Sequence, residues 1–286
     1  MTSRYTTLAC LVLTLGLVGC QEQAADHPEP TIDLAQVKAD LETLAGARVY
    51  FAHQSVGRNL LKGIDMLMAE TGVMLRIEEV KPGEAAPEGP GLFHANVGEN
   101  GIADSKISAF VADVTAAAPY DVALLKFCYT DLGGDDAQDK SARELFDRYS
   151  KMVADVKQQQ PNTMILHSTI PLRADPPGKK AKLQRLLGMS TSTDQGNILR
   201  FEYNSLLRTS EPQSLIFDVA RLEATRFDGS LLTFRSNGRE FEVLAPEHTY
   251  DGGHLDDPAK RYFAAKFLHM LAEAVRSRTS QVTQAL

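Results

Sequence analysis

Short aliphatic or β-branched runs alternate along most of the chain with longer stretches in which apolar residues recur every three or four positions. The short runs cover residues 48–52, 122–127, 163–167 and 215–219, with a weaker fifth over 73–80. The run at 122–127 is apolar almost throughout, as expected of a strand covered on both faces. Helical spacing fills 33–44, 59–70, 104–117, 142–159 and 197–207. Strands that alternate with helices of this length predict βαβ units. The expected fold is therefore α/β, with a mainly parallel sheet of about five strands between two layers of helices.

Two later segments refine this outline. Residues 231–234 and 241–244 flank Ser236-Asn237-Gly238-Arg239, and Asn-Gly at a turn centre predicts a β-hairpin inserted outside the repeating pattern. Asp257-Pro258 reads as an N-cap followed by proline at the first helical position. Beyond it, Phe263, Phe267, Met270, Leu271 and Ala274 mark one buried helix face. Asp251 and His254 then fall on the loop just before a packed helix.

At the N-terminus, Arg4 precedes an apolar run over 8–18. That run is shorter than the roughly 20 residues needed to span a bilayer and reads as the core of an export signal. Leu17-Val18-Gly19-Cys20 resembles a lipobox, in which the cysteine is lipidated and begins the mature chain. An ordinary signal peptide that happens to contain Cys20 is the alternative. The expectation is a lipoprotein signal over 1–19, a lipidated flexible tether over 20–32 and one domain over 33–280. The protein would be exported and membrane-anchored through Cys20. Gln21 in place of Asp after the cysteine matches the proteobacterial pattern for the outer membrane.

Composition narrows the function classes. At 43% hydrophobic and 23% charged, the chain has the make-up of an ordinary globular protein. A net charge of −7 argues against a nucleic-acid partner, which requires a basic face. With Cys10 in the signal and Cys20 lipidated, only Cys128 remains, and in an apolar strand it reads as a small buried hydrophobe. No H-E-x-x-H, paired C-x-x-C or EF-hand pattern is present, so no metal is expected. Gly98 and Gly101 do not form G-x-G-x-x-G and follow no clear strand, so no dinucleotide cofactor is expected either.

The remaining polar residues fit nucleophilic chemistry, which needs an activated hydroxyl, a base, a carboxylate to orient the base, and donors for the oxyanion. Ser55 follows the first strand and precedes a helix start, a position that either presents a nucleophile above the sheet edge or merely caps the helix. In Asp251-Gly252-Gly253-His254-Leu255, an Asp and a His three residues apart can fold back on each other. The alternative there is a surface turn with a polar histidine.

These residues together resemble the SGNH (GDSL-like) hydrolase superfamily, from about Val49 to Leu271. The first block is matched by Phe51-Ala52-His53-Gln54-Ser55-Val56-Gly57, the second by Asn96-Val97-Gly98-Glu99-Asn100-Gly101, and the last by Asp251 to Leu255. The resemblance implies a flavodoxin-like α/β/α sandwich and a Ser55–His254–Asp251 triad. It also implies an oxyanion hole from the amides of Ser55 and Gly101. The usual Gly-Asp before the serine is replaced by His53-Gln54, and the third block reads Cys128-Tyr129-Thr130-Asp131, with Thr130 where an asparagine donor is usual. Either Thr130, Tyr129 or another donor compensates, or the enzyme is slow or altered. His53, Gln54, Asn96 and Tyr129 are the pocket-lining candidates, His94 reads as an exposed loop residue, and Asp131 as a residue that orders loops.

The implied activity is extracytoplasmic hydrolysis of acyl esters, for instance acetyl groups on carbohydrate, without a cofactor. An O-acetyltransferase acting on exported polysaccharide and a catalytically decayed glycan-binding lipoprotein are the alternatives.

Overall fold

A computed structural model describes residues 30–284, apart from 82, 85, 117 and 176–190. The expected signal over 1–19, the lipidation site Cys20 and most of the tether lie outside the described residues. The strands are β1 (Arg48–His53), β2 (Ile77–Glu79), β3 (Gly91–Asn96), β4 (Val122–Leu125), β5 (Met164–Ser168) and β6 (Ile216–Phe217). They form one sheet in the order β2-β3-β1-β4-β5-β6, with every adjacent pair parallel. Without the short edge strand β2, this is the 2-1-3-4-5 order of flavodoxin-like folds. The chain builds to one side of β1 and then to the other, so the topological switch point, where doubly wound sheets bind ligands, lies at the C-terminal end of β1 beside β4.

Seven helices among the described residues cover the sheet. They are α1 (Leu34–Ala45), α2 (Ser55–Thr71), α3 (Ala103–Ala116), α4 (Ala142–Gln159), α5 (Ser192–Ser210), α6 (Val219–Ala224) and α7 (Asp257–Gln284). Alternation along β1 assigns the faces. Val49 and Phe51 point into a core shared with α1, α2 and α7, whereas Tyr50 and Ala52 point into one shared with α3, α4 and α5. Phe51 packs on Phe267 of α7 at 4.9 Å between ring centroids. Burial of such a side chain stabilises the fold by about 1.5–3 kcal/mol. The three-layer α/β/α sandwich expected from the sequence is the observed architecture, with six strands in place of about five.

The additional strand is β3. It lacks β-branched residues and includes Gly91, His94 and Asn96, so its composition hides it. Six residues of in-register pairing with β1 and burial of Leu92, Phe93 and Ala95 hold it extended. The weak run at 73–80 supplies only the three residues of β2. Helix α5 begins earlier than expected because Thr191 and Asp194 close a capping box. The cap of α7 is Asp256, which accepts the Ala259 N–H at 3.0 Å, so Asp257 lies one position inside the helix. The hairpin forms as β7 (Thr233–Ser236) and β8 (Arg239–Glu242), with φ of 50° at Asn237 and 78° at Gly238. Its Phe234 and Phe241 pack against Ile198 and Phe201 of α5.

Candidate active site

The sheet register sets the site. His53 on β1 pairs with Asn96 on β3, and β4 runs along the other side of β1. The segments after β3, β1 and β4 therefore leave the sheet side by side, carrying Gly98, Ser55 and Thr130. Ser55 is half-buried and is the first residue of α2, four residues earlier than the sequence pattern places the helix start. It does not cap the helix. The N-cap is Gln54, whose side chain makes no capping bond, and the first turn contains no acid. By contrast, Asp33, Ser141 and Thr191 cap α1, α4 and α5 through their side chains. The uncapped start of a 17-residue helix leaves its partial positive charge and first amides turned toward the site.

The loop with Asp251 and His254 folds back on itself. One Asp251 oxygen accepts from His254 Nδ1 at 2.6 Å, and the other accepts the backbone N–H groups of Gly253 and His254 at 3.0 and 2.8 Å. A carboxylate can only accept, so Nδ1 carries the proton and Nε2 is left as the basic nitrogen. Partial burial raises the Asp251 pKa, but the hydrogen bonds from His254 and Gly253 outweigh it and hold the carboxyl below its ordinary range. Gly252 has φ of 86°. A Cβ on Gly253 would lie 2.9 Å from the Tyr129 ring, so both glycines are needed.

The loop is tied directly to the helix of Ser55. Asn59, four residues after Ser55 and on the same helical face, accepts the Leu255 N–H at 3.0 Å. Nothing described hydrogen-bonds to the Ser55 hydroxyl or to His254 Nε2. Two tyrosines flank the imidazole. Tyr129 meets it edge to face at 6.0 Å, and Tyr250, 66% exposed, lies nearly parallel to it at 6.1 Å.

The second and third sequence blocks meet at Asp131. Its carboxylate is fully buried, pairs with Lys106 Nζ at 2.7 Å, and accepts the N–H groups of Gly101 at 3.0 Å and Cys128 at 2.7 Å. The Gly101 amide, expected in the oxyanion hole, is therefore engaged by Asp131 within the fold. Gly98, which has no sequence signal of its own, lies two residues beyond the β1–β3 pairing just as Ser55 does. Gln54 Nε2 donates to the carbonyls of Val97 and Gly98 at 2.7 and 3.0 Å, and the Gly98 N–H has no acceptor among the described residues. Thr130 Oγ1 is buried with no hydrogen-bond partner among the described residues. An unpaired buried hydroxyl is uncommon and calls for a ligand or another cause.

The pocket-lining candidates divide. Gln54 and Tyr129 border the site, whereas Asn96 donates to Glu79 at 2.8 Å. His53 is fully buried beneath α2 and lines no open pocket. Its Nδ1 donates to the Gln54 carbonyl at 2.8 Å, so Nε2 accepts from His94 Nδ1 at 3.1 Å. Burial pushes the His53 pKa down to about 3, and the ring is neutral. His94, expected to be exposed on a loop, is a half-buried residue of β3. Burial also raises the Tyr129 hydroxyl to about 12. Cys128 is buried. Among the described residues there is no cluster of three or more His, Cys, Asp or Glu that could hold a metal, and no helix is long and apolar enough to cross a membrane.

No family model and no curated protein matches the chain. Among solved structures, it is similar to a Streptococcus pneumonia protein described as a platelet activating factor, at 15% identity and a TM-score of 0.40, over 82% of this chain and 92% of the other. It is also similar to the periplasmic domain of a lipopolysaccharide acetyltransferase from Salmonella ser. Paratyphi A, at 14% identity and a TM-score of 0.42, over 82% and 87% of the two chains. Likeness at this level has no bearing on activity.

Proposed function

We propose that the protein is an extracytoplasmic serine ester hydrolase of the SGNH type, anchored by a lipid at Cys20. The observation that carries this reading is the Asp251–His254 pair, a carboxylate fixed by two backbone amides and 2.6 Å from Nδ1, on a loop bonded to the helix that begins with Ser55. In the proposed reaction, His254 Nε2 takes the Ser55 proton as Oγ bonds to the ester carbonyl carbon. Asp251 keeps Nδ1 protonated and stabilises the imidazolium. The carbonyl oxygen becomes an oxyanion, met by the N–H groups of Ser55 and Gly98 and by the Thr130 hydroxyl. Collapse breaks the bond to the leaving alcohol, which takes the proton from His254. Water then attacks the acyl-serine, giving its proton to His254, and the free acid leaves as Ser55 is reprotonated.

The oxyanion set proposed here moves from Gly101 to Gly98 for a physical reason. An amide that donates to a buried carboxylate has no hydrogen left for the substrate. The site residues also support acyl transfer to a sugar hydroxyl in place of water, and the product distinguishes the two. Turnover of p-nitrophenyl acetate by the wild type, with both Ser55→Ala and His254→Ala slowed by about 10³-fold or more, is the expected result. Equal rates in all three proteins would refute the assignment.

A further inference from the structure

Arg173 is a cation beside the site with no acidic partner among the described residues. It lies in the segment that follows β5, and none of its guanidinium nitrogens makes a salt bridge or hydrogen bond among the described residues. Its Nε is buried without an acceptor. Its position is nevertheless closely built. The Arg173 N–H donates to Asn197 Oδ1 at 3.0 Å, and its carbonyl accepts from Asn197 Nδ2 at 2.8 Å. Asn197 is fully buried and is held in turn by Arg200 Nη1 at 2.7 Å. The next residue, Ala174, donates its N–H to the Gly252 carbonyl at 3.0 Å, joining this segment to the catalytic loop.

The side chain is oriented as well. Its guanidinium lies over the Tyr129 ring, 5.3 Å from the centroid, and the same ring meets His254. The contact with the aromatic face holds the group in place, and its N–H donors meet no acceptor among the described residues. Asp251, an acid that faces the same ring, is committed to His254. A fixed planar fork with free in-plane donors matches two oxygens of a carboxylate or phosphate.

We propose that Arg173 binds an anionic group on the ester that Ser55 attacks, so that the substrate class is an acyl ester bearing a carboxylate or phosphate. This inference rests on the reading of Ser55, Asp251 and His254 as an ester-cleaving centre. Arg173 is a specificity residue in it and touches no reacting atom.

The test compares an O-acetylated hexuronate, an O-acetylated hexose phosphate and the matched neutral O-acetylated hexose. In the wild type, kcat/KM for at least one anionic ester should exceed that for the neutral one by about tenfold or more, and Arg173→Gln should remove most of that ratio. Arg173→Lys should retain part of it, since charge survives but the fork does not. The preferred anion identifies carboxylate or phosphate. Equal treatment of all three esters by the wild type, or a parallel fall for all three in Arg173→Gln, would overturn the proposal. If none of the esters is cleaved, the hydrolase reading fails for these esters. The role of Arg173 is then decided by calorimetric binding of the same compounds to Ser55→Ala. An anion preference lost in Ser55→Ala/Arg173→Gln sustains the proposal, and a preference that persists, or none at all, overturns it.

Discussion

The ion pair between Lys106 and Asp131 should hold both the fold and the oxyanion loops, and its removal has a calculable effect. Both side chains are inaccessible to solvent, and Lys106 Nζ lies 2.7 Å from each carboxylate oxygen while also donating to Asn100 Oδ1 at 3.1 Å. Removing one partner leaves the other charge buried alone, at a cost of about 3–5 kcal/mol. Set against a typical total of about 5–15 kcal/mol, that is a large share of the stability. Lys106→Met keeps an apolar stem in place and leaves Asp131 its two amide donors, so its effect should lie at the lower end. Asp131→Asn turns an amide NH₂ toward the N–H of Gly101 or Cys128 and should lie at the upper end. In Lys106→Met/Asp131→Asn neither charge of the pair remains buried, so the double variant should be less destabilised than the sum of the singles by about 1–3 kcal/mol. Urea unfolding at constant m measures all three. The reasoning is refuted if each single variant costs less than about 1 kcal/mol, or if the two effects simply add.

Other consequences concern the site and its pH dependence. Thr130→Val should lower kcat by about 10²-fold with little change in stability, because the hydroxyl has no partner in the folded protein to lose. Loss of stability without loss of activity would assign Thr130 a structural role. His53 has a folded pKa of about 3 against an ordinary 6.5, so the unfolded chain binds the extra proton and stability falls as pH drops below 6.5. Between pH 7 and pH 5, the wild type should lose about 2 kcal/mol more than His53→Asn, measured by urea unfolding; equal losses would contradict burial of the ring as a neutral group. Gly253→Ala drives a methyl into Tyr129, which also touches His254, and should cost about tenfold or more in kcat. An unchanged kcat would show that Tyr129 does not position the imidazole.

Features set by local pattern were legible in the sequence, and those set by distant partners were not. The run at 122–127 and the periodic faces of α4 and α7 read correctly because each carries its own hydrophobic signature. Strand β3 carries none; it is extended because β1 and β2 bond to it on either side. The start of α2 at Ser55 was hidden by the absence of a capping side chain, the same absence that leaves the helix end open to a substrate. The capping box of Thr191 and Asp194 is present in the sequence as Thr-Ser-Thr-Asp, but no apolar periodicity marks the helix turn that follows it. Within the site, Asp251 and His254 were readable because three residues of spacing suffice to bring them together. The engagement of the Gly101 amide was not, since its acceptor is a carboxylate thirty residues further along the chain. The setting of Arg173 had no sequence signal, because it is defined by the Tyr129 ring it lies over and by the lack of an acidic partner among the described residues.

The central claim is that Ser55 is a nucleophile activated by His254. The most direct test exposes the protein to a fluorophosphonate and locates the adduct by peptide mass spectrometry. The account predicts a single phosphonylated site at Ser55, formed slowly or not at all in His254→Ala and displaced from Ser55 in no wild-type sample. Labelling at another residue, or labelling of Ser55 at the same rate in His254→Ala, would contradict it.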